Sequence, residues 1–180
     1  EYESNSNYFG ATVGRLANRL SGAKMVLGGK TFVFDANENG NMLHSSNDCY
    51  ALRKWEGVIV EDELIMMLFS PDGDGGFPGN LKLELRFILT DDNTLSLRYR
   101  AETDQLTVLN LTNHCYFNLN GAESGNILSH SFRVNASSRT AVDAKLLPTG
   151  ELPEVAGSAY DLRQEKAFQD IIQQLPSGLD

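Results

Sequence analysis

Between Asn80 and Ala101 the chain reads NLKLELRFILTDDNTLSLRYRA, and this stretch limits the fold more sharply than any other. Leu81, Leu83, Leu85, Phe87 and Leu89 fall on one side of an extended chain, while Lys82, Glu84 and Arg86 fall on the other. Successive side chains point to opposite faces of a strand, so this period of two predicts a strand with one face buried. The polar run Asp91-Asp92-Asn93-Thr94 turns the chain. Leu95, Leu97 and Tyr99 then alternate with Ser96, Arg98 and Arg100, which predicts a second strand paired antiparallel to the first.

Two more hairpins are predicted upstream. KMVLGGKTFVFD places two short apolar runs around Gly28-Gly29, and VIVEDELIMML repeats the theme around an acidic turn. SPDGDGGFPGN, from Ser70 to Asn80, reads as a loop because its glycines and prolines prevent regular structure. A single helix is expected near the end. Asp161 caps it, Gln164 completes a capping box, and Phe168, Ile171, Ile172 and Leu175 form its apolar stripe until Pro176 and Gly178 stop it. Many hairpins and one peripheral helix predict an all-β antiparallel sandwich.

Composition removes several functional classes. At 180 residues, 41% apolar and 22% charged, the chain can bury a real core and is not of the disordered type. A net charge of -9 argues against nucleic acid or an anionic membrane as partner, since both need a basic face. The longest apolar run, Leu64–Phe69, is strand-sized, far short of the roughly 20 residues of a membrane span. Two cysteines, Cys49 and Cys115, are too few for a disulfide scaffold and read as free thiols, which points to the cytoplasm. The triplets Asn110-Leu-Thr and Asn135-Ala-Ser, together with a first residue that is not Met, leave a secreted protein open.

Four polar spots stand out from this pattern. GATVGRLANRL carries Gly10, Gly14, Asn18 and Arg19, and it is not a phosphate loop, because no Lys-Ser/Thr follows its glycines. NMLHSS carries His44, LTNHCYFNLNG carries His114, and PSGLD ends on Asp180. Taken singly, Arg19 reads as a surface arginine, His44 as a structural histidine and Asp180 as a solvated chain-end acid. Three histidines and two cysteines lie scattered, without metal-ligand spacing, and there is no Gly-x-Ser-x-Gly elbow. Metal and serine-nucleophile chemistry are both unsupported.

Together the spots change the picture. YFGATVGRLANRL, Leu43-His44, SPDGDGGFPGNL, LNLTNHCYFNLNG, LLPTGELPEVAGSAYDLR and GLD follow one another in that order. This series resembles the aldose 1-epimerase (galactose mutarotase) family across nearly the whole chain. The resemblance implies a large antiparallel β-sandwich and interconversion of the anomers of free aldohexoses such as glucose and galactose. It implies that His114 is the general acid and that Asn18, Arg19, His44 and Asp180 bind the sugar. It implies no cofactor and no metal, with a small-molecule aldose as the partner.

Two departures from the family pattern are visible. Ser45-Ser46 stand where the family has Gly-Gly, a change that costs strain if those positions hold positive φ. Cys115 replaces a small hydroxyl residue. The family's general-base glutamate lies in a segment beyond the position of Asp180, and neither Glu151 nor Glu154 matches it. Residues 1–180 therefore read as the central part of one such domain, with the base supplied by another segment or a second chain. A sugar-binding homologue without catalysis and a hexose 6-phosphate 1-epimerase are the alternative expectations. The latter would need Arg or Lys at the pocket mouth, for which Arg19, Arg53 and Lys54 are candidates.

Overall fold

The structure, a computed structural model, describes residues 7–175. These fall into two compact units that divide between Cys115 and Tyr116.

The first unit holds ten strands: β1 (Thr12–Val13), β2 (Arg19–Leu20), β3 (Lys24–Leu27), β4 (Lys30–Val33), β5 (Met42–Leu43), β6 (Glu56–Val60), β7 (Glu63–Ser70), β8 (Leu81–Leu89), β9 (Leu95–Thr103) and β10 (Thr112–Asn113). All strand pairs are antiparallel, with β6, β7, β8 and β9 side by side in one sheet. The predicted hairpins are present. β3 and β4 meet across Gly28-Gly29, β6 and β7 across Glu61-Asp62, and β8 pairs with β9 from Leu81↔Thr103 to Leu89↔Leu95.

The alternation of β8 sets its buried face over only part of its length. Leu81, Leu83 and Leu85 are buried, Phe87 is half-buried, and Leu89 is 66% exposed. The expectation of a fully buried row fails at Leu89 for a local reason. The side chains that cover the row, Tyr50 with Trp55, Leu68 and Leu111, gather at its Leu81–Leu83 end. Two further clusters complete the core of this unit. Ala23, Phe34, Met42 and Phe77 form one, with Phe34 and Phe77 rings 4.6 Å apart, and Val13, Ala17 and Cys49 form the other.

The predicted loop at Ser70–Asn80 contains one short 3-10 turn, Asp74–Gly76, and folds around the side chain of Arg15. That guanidinium is buried and donates to the carbonyls of Ser70, Pro78 and Gly79, to the hydroxyls of Ser70 and Thr107, and to Tyr50 Oη. A loop this rich in glycine has few side chains of its own to pack, so its carbonyls close on a cation instead.

The second unit has β11 (Ser131–Phe132) paired with β12 (Lys166–Ala167), then α1 (Phe168–Gln174). The helix is shorter than expected and is not capped by Asp161. Asp161 instead grips Arg163 two residues on, through two bonds of 2.8 Å, and Lys166–Ala167 is taken up by the pairing with β11. The helix starts at Phe168 with Ala167 as its cap, and Ile171 and Leu175, one turn apart, pack on Leu162 and Val134. Pro176, Gly178 and Asp180 lie outside the described residues. Among the described residues no helix is long and apolar enough to cross a membrane. Cys49 is buried, Cys115 is exposed, and neither is in a disulfide.

Candidate active site

Two short ladders bring the polar spots of the first unit together. In one, β1 pairs with β10, and the pairing continues past the strand ends. His114 N–H donates to Ala11 O at 2.9 Å, and Gly10 N–H donates to His114 O at 3.1 Å. In the other, β2 pairs with β5 through Arg19↔Leu43, and His44 N–H donates to Asn18 O at 3.1 Å. The segments leading into β2 and β10 are joined as well. Asn110 N–H donates to Arg15 O and Ala17 N–H to Asn110 O, at 2.9 and 2.8 Å. GRLANR therefore carries β5 on one side and the LTNHC segment on the other.

The two histidines consequently stand ring to ring. Their centroids are 5.3 Å apart at 86°, an edge-to-face contact. Tyr8 touches both, at 5.0 Å from His44 and 5.7 Å from His114, and partial burial pushes its phenol pKa up. Nothing in the polarity pattern marked Tyr8, although it lies in the YFGATVGRLANRL segment.

His44 is oriented by backbone. Asn18 has φ +66°, its side-chain Oδ1 accepts the Arg19 N–H, and its own N–H donates to His44 Nδ1 at 3.0 Å. A nitrogen that accepts carries no proton, so the neutral ring of His44 bears its proton on Nε2. The residues after it pay a conformational penalty. His44, Ser45 and Ser46 all have positive φ, at +55°, +63° and +55°. The serines thus occupy the backbone conformation that glycine adopts most easily. Ser45 recovers part of the cost, because its hydroxyl accepts from Leu16 N–H at 2.8 Å and donates to Leu16 O at 3.1 Å.

Arg19 is held by Glu38, a residue the polarity pattern did not single out. Nε and one terminal nitrogen of the guanidinium donate to the two carboxylate oxygens at 2.5 and 2.9 Å. The arginine holds the Glu38 carboxyl below the usual glutamate range through this hydrogen bonding, helped by its charge. Glu38 opens a tight reversal in which Glu38 and Asn41 exchange backbone hydrogen bonds across Asn39 (φ +50°) and Gly40 (φ +82°). Two positive-φ residues in a two-residue loop favour Asn-Gly, and Glu-Asn-Gly-Asn is the local signal that could have located this turn.

Asn18, Arg19, His44 and His114 are all in the first unit, and Asp180 lies outside the described residues. Of the other cations named from the sequence, Arg53 is taken up by Asp74 at 2.6 Å and Asp48 at 3.1 Å. Among the described residues, no group of three or more His, Cys, Asp or Glu side chains is placed to hold a metal ion.

Comparison with known proteins identifies the family. The family model described as aldose 1-epimerase matches residues 1–180. A galactose mutarotase from Sus scrofa is 40% identical over 164 residues, covering 91% of this chain and 48% of its own length. An aldose 1-epimerase from Escherichia coli is 36% identical over 166 residues, 92% of this chain and 48% of its own. The crystal structure of a galactose 1-epimerase from Lactobacillus acidophilus superposes with a TM-score of 0.88 at 31% identity, over 99% of this chain and 55% of that one. This chain thus spans about half the length of the relatives it matches. With all-β antiparallel architecture, ordered motifs and whole-chain match in agreement, the chain belongs to the aldose 1-epimerase family.

Proposed function

We propose that the protein interconverts the α and β anomers of a free aldohexose, glucose or galactose, by acid–base opening of the ring. The observation that carries this reading is the pair of imidazoles 5.3 Å apart, flanked by an arginine whose charge is already balanced. Anomer exchange needs a proton delivered to the ring oxygen while another leaves the C1 hydroxyl. The C1–O5 bond breaks, the open aldehyde turns about C1–C2, and the reverse transfers close the ring on its other face. Imidazole is the side chain suited to such transfer near neutral pH.

His114 is the general acid that protonates the ring oxygen. His44, as an Nε2–H donor, holds a sugar hydroxyl together with Arg19 and the side-chain amide of Asn18. Asp180 is assigned to sugar hydroxyls on the resemblance alone. The base that takes the C1 proton is assigned to no glutamate of this chain, and a carboxylate from the segment or chain completing the domain supplies it. Atoms and electrons balance without a cofactor. A hexose 6-phosphate is a poorer fit, because Arg19 is paired with Glu38 and Arg53 with Asp48 and Asp74.

Polarimetry on freshly dissolved α-glucose or α-galactose, with the base-bearing segment or chain present, tests the reading. His114→Asn keeps much of the polar shape but removes the titratable proton, so turnover should fall about 10²–10⁴-fold, the usual contribution of a general acid. His44→Asn should raise KM more than it lowers kcat. Unchanged turnover in His114→Asn would refute the assignment.

A further inference from the structure

Glu38 lies outside every segment that carries the family resemblance, yet its carboxylate bonds directly to Arg19. Its carboxylate meets Nε and a terminal nitrogen of Arg19 side-on, the paired geometry in which a guanidinium is fixed in both position and plane. Both partners are partly buried, with side-chain exposures of 13% for Arg19 and 27% for Glu38, so water competes weakly for this pair.

The carboxylate is itself held rigidly. Glu38 and Asn41 bond reciprocally through N–H and C=O, at 3.1 and 2.8 Å, across the Asn39-Gly40 turn. Asn37 clamps the base of the same turn, with Oδ1 accepting from Leu43 N–H at 2.7 Å and Nδ2 donating to Leu43 O at 3.0 Å. Leu43 is the register partner of Arg19 and the immediate neighbour of His44. One turn therefore ties together the carboxylate, the guanidinium and the histidine.

Resting on the mutarotase reading above, we propose that Glu38 is a positioning residue for sugar binding. It fixes the position and plane of the Arg19 guanidinium, and with them the direction from which that side chain meets a sugar hydroxyl beside His44. It also balances the positive charge of Arg19 next to two imidazoles, so that the site favours an uncharged sugar over an anionic one. Glu38 does not touch the reacting atoms and moves no proton.

The test uses Glu38→Gln, Glu38→Asp and Glu38→Ala, with two independent readouts. In ¹H–¹⁵N spectra, the Arg19 Nε–H (assigned through Arg19→Lys) should be protected from exchange in the parent protein and lose that protection in Glu38→Gln. An unprotected Nε–H in the parent overturns the proposal. In polarimetry with galactose, Glu38→Gln and Glu38→Ala should raise KM about tenfold or more with kcat changed less than about threefold, the pattern of lost ground-state binding. Glu38→Asp, which keeps the charge on a shorter arm, should recover part of the affinity.

The outcomes separate the two ideas. An active parent whose Glu38→Gln variant keeps its KM, with or without a lower Tm, removes the positioning role alone. A parent protein that includes the base-bearing segment or chain and still neither turns over nor binds galactose, while its Arg19 Nε–H is protected, removes the mutarotase reading and this proposal with it.

Discussion

Arg15 offers the largest stability effect that can be worked out from the structure. It is 1% exposed, and its three nitrogens make six hydrogen bonds, three of them to backbone carbonyls of Ser70, Pro78 and Gly79. Its charge is met at one remove. Ser70 Oγ accepts from Arg15 at 2.7 Å and donates to Asp74 at 2.6 Å, and Asp74 in turn holds Arg53. Phe77 closes the other side, with the guanidinium 5.6 Å from its ring centre.

Arg15→Met keeps apolar volume but strips the donors from three carbonyls and three hydroxyls. A buried acceptor left without a donor costs about 1–3 kcal/mol, and such costs do not add fully within one network. A net loss of about 3–5 kcal/mol is expected, the range for breaking a buried charged network by removing one partner. Arg15→Lys keeps the charge, but its single nitrogen cannot span Tyr50 Oη and Ser70 at once, so about half of that loss is expected.

Trp55, the only tryptophan, reports on the same region, since its Nε1–H donates to Tyr50 O at 3.0 Å. Urea unfolding followed by its fluorescence, with a slope of about 2 kcal/mol/M, should show the Arg15→Met midpoint lowered by roughly 1.5–2.5 M. A midpoint within about 0.5 M of the parent would show that the loop does not depend on the cation, and would refute the argument.

Two other substitutions test local geometry with the same assay. Gly14→Ala places a methyl 2.5 Å from Leu111 Cδ2 and 2.8 Å from the buried ring of Tyr50, so a loss of about 2–3 kcal/mol is expected from overpacking; a neutral result would mean the two side chains part easily. Ser46→Gly removes a left-handed serine whose buried hydroxyl finds no partner among the described residues, and should stabilise by about 1 kcal/mol, whereas Ser45→Gly, losing both bonds to Leu16, should not; equal effects at the two positions would contradict the reading.

The parts of the fold that were legible in the sequence are those where period and turn chemistry act over many residues. β8 and β9 each run nine residues, and alternation over that length fixes both the element and its inner face. Alternation does not say how far a covering layer extends, and so Leu89 could not be told from Leu81. The two-residue strands β1, β2, β5 and β10 were not legible, because two residues have no period. They exist through pairing with segments 22 to 101 positions away, as in Leu20↔Met42 and Thr12↔Asn113. The end helix failed as a forecast through local competition. Asp161 can cap a helix or hold Arg163, and a side-on ion pair two residues away won.

At the site, the resemblance pointed to His44, His114, Asn18 and Arg19, but not to what holds them. That support comes from backbone conformation, and it explains why so much strain collects beside β5. Had the chain continued extended after Leu43, His44 would simply have alternated across the strand. Three successive left-handed residues instead fold the chain back on itself, at about 1–2 kcal/mol each for residues other than glycine. The bonds that offset this strain are the ones that place the ring: His44 N–H to Asn18 O, Asn18 N–H to His44 Nδ1, and the Ser45 hydroxyl to both backbone groups of Leu16. Asn18 is itself left-handed, so strained backbone stands on both sides of the contact. Relaxing either side moves the imidazole, and with it the face it turns toward His114. The strain and the orientation of His44 are therefore one feature, and the two serines divide its work. Ser45 supplies a hydroxyl that fastens the turn, and Ser46 only endures the conformation.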